Sequence, residues 1–184
     1  MYDFIAFPVL ETPRLLLREL TEYDAEDVLR IRGDAEVTKY NSGMPISNRA
    51  EARVLIDSIA SDFRQQLSLR WGLVLKSNGV VVGLCGYNYW DRANRRASVG
   101  YDLARAYWGR GLMPEALRRI VQFGFDEMKL NRVEADCTSL NTASARVLEK
   151  VGFKSEGMQR EQYFEYGQFF DLLLFGLLRR DWTG

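Results

Sequence analysis

The tightest constraint on this chain is a change of rhythm near its middle. From Arg96 to Leu103 the residues Ala97, Val99, Tyr101 and Leu103 alternate with Ser98, Gly100 and Asp102, the period of two of a strand with unlike faces. After a loop, Ala104 to Gly111, the pattern becomes helical. Leu117, Ile120, Val121, Gly124 and Met128 fall on one stripe of a helix running roughly from Leu112 to Lys129. Pro114 is tolerated there because it sits in the first turn, and Gly124 lets another element come close. A strand, a glycine-bearing loop and a long helix in that order point to a mixed α/β fold.

The flanks repeat the alternation. Leu15 to Leu20 reads as a strand. Thr21 and Asp24 then open a helix whose inner side carries Val28, Leu29 and Ile31. Asn48 to Phe63 reads as a second helix with Val54, Leu55, Ile59 and Phe63 on one stripe. Trp71 to Leu75 and Val80 to Tyr89 form a hairpin around Lys76-Ser77-Asn78-Gly79, where both Asn78 and Gly79 tolerate positive φ. Arg132 to Thr138 is a fifth strand, Thr142 to Val151 a helix stopped by Gly152, and Lys154 to Tyr163 and Gln168 to Leu178 are two closing strands. No repeat or linker splits the chain, so residues 11–182 read as one domain behind an N-terminal extension, 1–10.

Absences narrow the chemistry. The 184 residues contain no histidine, which excludes an imidazole base and a histidine-built zinc site. The two cysteines, Cys85 and Cys137, make neither a zinc site nor a disulfide framework, and no metal is expected. Twenty-five basic residues balance 25 acidic ones, which argues against a dedicated nucleic-acid partner. The start, Met1-Tyr2-Asp3-Phe4-Ile5, lacks the basic opening of a signal peptide. The longest apolar run, Leu172 to Leu178, is too short for a membrane span. The cytoplasm is the expected location.

Gly109-Arg110-Gly111 stands at the entrance of the long helix. Two glycines allow a sharp turn and close approach, and the first N–H groups of a helix lack internal partners, so a pyrophosphate suits the place, with Arg105 and Arg110 beside it. A dinucleotide fingerprint fails, because Pro114 replaces its third glycine and Lys129 its acid. A nucleotide P-loop fails too, since Gly152 to Gly157 is followed by Met158. A coenzyme A pyrophosphate site and a plain structural turn both stay open on this tripeptide.

The surrounding residues resemble a known family. Gly100-Tyr101-Asp102-Leu103 with Tyr107-Trp108-Gly109-Arg110-Gly111-Leu112-Met113-Pro114-Glu115-Ala116-Leu117 is similar to the central motif of the GNAT superfamily of N-acetyltransferases, in the branch of the ribosomal-protein N-terminal acetyltransferases RimJ and RimL. Thr12 to Arg18, Asn131 to Val133 and Asn141 to Phe153 match further segments of that branch, so the resemblance runs from about Glu11 to Trp182. It implies a mostly antiparallel twisted sheet of six to seven strands, splayed between the fourth and fifth, with about four helices. It also implies acetyl-CoA as cosubstrate, held by Tyr101, Asp102, Leu103, Trp108, Gly109, Arg110, Gly111, Leu112, Met113, Asn141 and Ser144. The acceptor it implies is a primary amine, first the N-terminus of a protein such as a ribosomal protein. A small-molecule amine (polyamine, aminoglycoside or amino-acid-like) or a non-catalytic acyl-CoA-binding role are the alternatives, and a homodimer is left open.

By the same resemblance Asn141 meets the pantetheine and Ser144 protonates the departing thiolate, although both are also good helix caps. The base is less settled. Ser98 stands where many relatives carry glutamate, and Tyr163 where some RimL-like enzymes carry theirs, flanked by Glu161 and Glu165. Asp171, an acid within the apolar run Phe169 to Leu174, needs a partner or a purpose. Glu161, Tyr163 and Asp171 are therefore the candidates beside Ser144. Cys137, Tyr87, Tyr89, Trp90, Phe164 and Tyr166 read as core or rim.

Overall fold

The computed structural model describes residues 4, 6–40, 44–165 and 167–184. Tyr166 and most of the Met1–Ile5 segment fall outside them. The strands are β1 (Leu10–Glu11), β2 (Leu15–Arg18), β3 (Leu69–Leu75), β4 (Val81–Asp91), β5 (Arg96–Leu103), β6 (Arg132–Thr138), β7 (Lys154–Glu165) and β8 (Gln168–Leu178). The helices are α1 (Ala25–Arg32), α2 (Ala35–Thr38), α3 (Arg49–Arg64), α4 (Leu112–Asp126) and α5 (Thr142–Val151). The eight strands form one sheet in the order β1-β2-β3-β4-β5-β6-β8-β7, and every pairing is antiparallel except β5 with β6. The fold is mixed α/β, with one strand more than the upper expectation. β1 and α2 were not foreseen, because two and four residues are too short to show a period.

Two apolar layers cover the sheet. On one face, α4 and α5 bury Leu117, Ile120, Val121 and Leu148 against Trp71, Tyr87 and Val133. On the other, α1 and α3 bury Val28, Ile31, Ala52, Ile56 and Ile59 against Val74, Val81 and Leu84. Of the expected stripe of α3, Ile59 is buried and Leu55 and Phe63 pack against the core, but Val54 is 68% exposed and Ala52 and Ile56 take the inner positions instead. Positions 52, 56 and 59 keep the i, i+4, i+7 spacing that faces the sheet, and 54 lies off it. The hairpin before β4 also differs in detail, since only Gly79 has positive φ (74°). Leu75 N–H bonds Val80 O at 2.9 Å across a four-residue loop.

α4 is fixed by a lock-and-key contact. The buried Tyr87 hydroxyl donates to Ile120 O at 2.8 Å. It reaches that carbonyl only because Gly124 has no side chain, where a Cβ would stand 2.0 Å from the hydroxyl. This seating sets where the N-terminus of α4 meets the sheet.

Candidate active site

β5 and β6 pair only at Arg96↔Arg132, Ala97↔Val133 and Ser98↔Glu134. Beyond that, β5 stays with β4 as far as Leu103, and β6 stays with β8 through Thr138. A bulge in β4 between Tyr87 and Tyr89 accompanies the divergence, as local twist would require. A V-shaped gap results, with strand edges that have no strand partner on either side. Two cavities meet there. One, of about 440 Å³, runs from Gly109, Gly111 and Met113 to Asn141 and Ser144. The other, of about 250 Å³, lies between Arg70, Asn88 and Asp102 on one wall and Asp136 and Tyr163 on the other. Tyr101, Asp102, Asn141 and Ser144 border both.

The larger cavity is built mostly of backbone. Gly109 and Gly111 both have φ of +73°, and Gly111 is the N-cap of α4. That left-handed conformation suits glycine and turns the chain into the helix. The Leu112 and Met113 amides lead the helix, where no intrahelical acceptor is available, and Pro114 has no N–H to leave. The loop is braced from β2. Glu115 accepts from the Thr12 hydroxyl at 2.6 Å, from Arg14 N–H at 3.0 Å and from the Arg14 guanidinium at 2.7 Å, and Arg14 also donates to Arg110 O at 2.8 Å. Burial works to raise the Glu115 pKa, but these donors outweigh it and hold the carboxyl below its usual range. Arg110 itself packs its guanidinium over the Tyr107 ring, 5.2 Å from the centroid. Trp108 donates its indole N–H to Leu103 O at 2.7 Å, so that carbonyl is already engaged.

At the join of the cavities, Asn141 caps α5: its Oδ1 accepts from Ser144 N–H at 3.0 Å. The Ser144 hydroxyl lies 2.8 Å from the Tyr101 hydroxyl. Burial pushes the Tyr101 phenol upward despite the hydrogen bond with Ser144, so it holds its proton. Burial also raises the Cys137 thiol, with Ser144 pulling weakly the other way. A thiol kept protonated is a poor nucleophile.

The smaller cavity is built of side chains. Ser98, Gly100 and Asp102 share one face of β5, and Glu134, Asp136 and Thr138 share the same face of β6. Asp102 is 5% exposed and is paired with Arg32 of α1 at 2.9 Å and Arg70 of β3 at 3.3 Å. Asp136 is exposed at the mouth of the cavity, and the protein packed around it still pushes its carboxyl above the ordinary range. No hydrogen bond or ion pair links it to another described residue.

The other candidates for the base lie elsewhere. Asp171 accepts the backbone N–H of Glu161 at 2.9 Å, and Glu161, exposed with φ of 51°, sits in the irregular stretch of β7 between Gln159 and Tyr163. Neither lines either cavity. Tyr163 alone of the three reaches the cavity wall. The burial of Asp171 that sequence suggested is thus resolved by a backbone partner. Asp136, which sequence reading passed over, carried a signal: it alternates with Ala135 and Cys137, so it had to face the opposite side from the thiol.

Comparison with known proteins settles the family. Residues 14–154 match the model of the Acetyltransferase (GNAT) domain. The chain belongs to the GNAT acetyltransferases. It is 35% identical over 175 residues to a Bacillus licheniformis protein named as an uncharacterized N-acetyltransferase, p20, covering 95% of this chain and 98% of that one. It is 26% identical over 121 residues to the [ribosomal protein uS5]-alanine N-acetyltransferase of Escherichia coli, covering 65% and 62%. Its fold superposes with a TM-score of 0.84 on RimL, a ribosomal L7/L12 alpha-N-protein acetyltransferase in complex with coenzyme A, at 18% identity and with 93% and 98% of the two chains covered. This GNAT protein is an acetyl-CoA-dependent N-acetyltransferase. Among its described residues no group of three or more potential ligands could hold a metal ion, and no helix is long and apolar enough to cross a membrane.

Proposed function

We propose that this GNAT protein acetylates an α-amine, with the coenzyme in the larger cavity, the amine entering through the smaller one and Asp136 acting as general base. The observation that carries the reading is the gap between β5 and β6, where the Asp136 carboxylate, with no ion pair of its own, lines one cavity and a paired serine and tyrosine join it to the other. Acetyl-CoA supplies an activated thioester. Gly109, Gly111 and the leading amides of α4 suit its pyrophosphate, since free N–H groups and the helix dipole converge there. The unpaired edge of β5 from Val99 onward offers N–H groups to the pantetheine and to charge developing on the acetyl oxygen. Asn141, its Oδ1 spent on the cap, keeps its Nδ2 donors for the same arm.

Asp136 takes the proton from the incoming ammonium. A carboxyl raised by desolvation is a stronger base than an ordinary aspartate, and an α-amine, with a pKa of about 8, needs only modest help. Ser144, hydrogen-bonded to a phenol that keeps its proton, returns a proton to the departing thiolate. A protein N-terminus is the acceptor suggested by the relatives that act on ribosomal proteins. An amino-acid-like small molecule has the same α-amine.

The test is the pH profile of kcat/KM from about pH 6 to 9, a range spanning the α-amine pKa. Asp136 works only when ionised, so activity is lost as pH falls through its raised pKa. Asp136→Asn should lower kcat/KM by about a hundredfold to ten-thousandfold and leave a profile that follows the amine alone. A variant with the parent rate and profile would remove Asp136 from the mechanism. Coenzyme binding with no turnover of any amine would instead favour the non-catalytic role.

A further inference from the structure

The wall of the smaller cavity opposite Asp136 is unusual. Arg32 and Arg70 both pair with the carboxylate of Asp102, which fixes the Arg70 guanidinium at the cavity wall. Two donor groups at this wall lack an acceptor, and a buried donor without one is costly. The Nε–H of Arg70 and the hydroxyl of Thr138 are buried without a partner, and both residues line this cavity. Thr138 lies on β6, across the gap from Asp102.

The sequence clears a lateral path for these groups. Arg70, Gly86 and Gly100 occupy one row across β3, β4 and β5. A Cβ on Gly100 would stand 2.2 Å from Asn88 Nδ2, so that carboxamide lies over the glycine and beside the gap. The position along the strands matters as well. In the shared register Asp136 stands level with Gly100, one pleat (roughly 7 Å) before Asp102. The cavity is therefore dipolar: a carboxylate suited to an ammonium at one end, and guanidinium, amide and hydroxyl donors at the other.

We propose that the acceptor is an α-amine bearing a carboxylate a few bonds away, and that Arg70, fixed with Arg32 on Asp102, reads that carboxylate. The proposal rests on the reading that amines are acetylated in this cavity. It fits two sources of one chemistry, the main-chain carboxylate of a free amino acid and the acidic side chain of an N-terminal residue.

Matched acceptors separate them in an assay of thiol release from acetyl-CoA. Alanine against alaninamide tests the first source, and Asp-Ala amide against Ala-Ala amide the second. One pair should show a kcat/KM ratio of about tenfold to a hundredfold in favour of the carboxylate, the usual worth of a hydrogen bond to a charged group. Arg70→Met should collapse that ratio toward one, mainly through KM, and Arg70→Lys should restore part of it. Ratios near one in both pairs, or an Arg70→Met variant that loses both members of a pair equally, would overturn the proposal. Calorimetry gives an independent arm with the coenzyme-loaded protein: N-acetylalanine or N-acetyl-Asp-Ala amide should bind more tightly than its neutral counterpart, and equal affinity in both comparisons also overturns it. Turnover of none of the four acceptors would count against amine acetylation, while the binding arm would still decide the carboxylate.

Discussion

The two sides of the gap between β5 and β6 are built from different materials. The side proposed for the coenzyme is a continuous stretch of chain, Trp108 to Met113, built of peptide groups shaped by Gly109 and Gly111 and braced by Glu115, Thr12 and Arg14. The side proposed for the acceptor gathers Arg32, Arg70, Asn88, Asp102 and Asp136 from α1, β3, β4, β5 and β6, and it is built of side chains. Peptide groups at a helix N-terminus recognise a phosphate whatever the neighbouring side chains are. An amine and its surroundings must be told apart by side chains. One half of the site can thus stay constant while the other is retuned, as a shared cosubstrate and varied acceptors require.

Three substitutions would break or sharpen this contrast. The largest effect is expected at the join. Ser144→Ala should lower kcat by roughly tenfold to a thousandfold at little change in coenzyme affinity, if the hydroxyl returns the proton. Steady-state kinetics with acetyl-CoA varied check it, and an unchanged kcat would return Ser144 to its place in the α5 cap alone. On the coenzyme side, Gly111→Val should weaken acetyl-CoA binding about tenfold. The cause is conformational rather than a blocked contact: the nearest atom to an added Cβ is Arg14 Nη2 at 3.6 Å, but φ of +73° is strained for a β-branched residue. Calorimetric affinity equal to the parent's would detach the loop from the coenzyme. The smallest effect is structural. Gly124→Ala should destabilise the fold by about 1–3 kcal/mol, because Tyr87 must give way. Urea unfolding measures it, and Tyr87→Phe in the same background should recover part of the loss by removing the colliding hydroxyl.

The same contrast explains what the sequence made legible. Local signals carried the sheet, the long helices and the glycine loop: alternation from Arg96 to Leu103, the stripe of α4, the glycines before it and Gly152 after α5. The splay was legible only through the family resemblance. The acceptor side was not legible, because its residues are far apart in the chain and each has an ordinary local setting. Arg70 reads as a polar residue next to Trp71, and Asp136 as the outward member of an alternating strand. Glu161 drew attention only because it flanks Tyr163, where the resemblance puts a base, and Asp171 for the opposite reason. An acid in an apolar run looks functional until its partner is known, and here the partner is a backbone N–H in the neighbouring strand. Val54 failed for a simpler reason, since apolar character alone does not fix which side of a helix faces the sheet.

The central claim is that coenzyme and acceptor are served by separate walls of one gap. The most direct test is the affinity of Asp136→Asn for acetyl-CoA, measured by calorimetry beside its turnover of an α-amine. The account expects affinity within about twofold of the parent while kcat/KM for the amine falls by about a hundredfold or more. A loss of coenzyme affinity in step with the loss of turnover would contradict it.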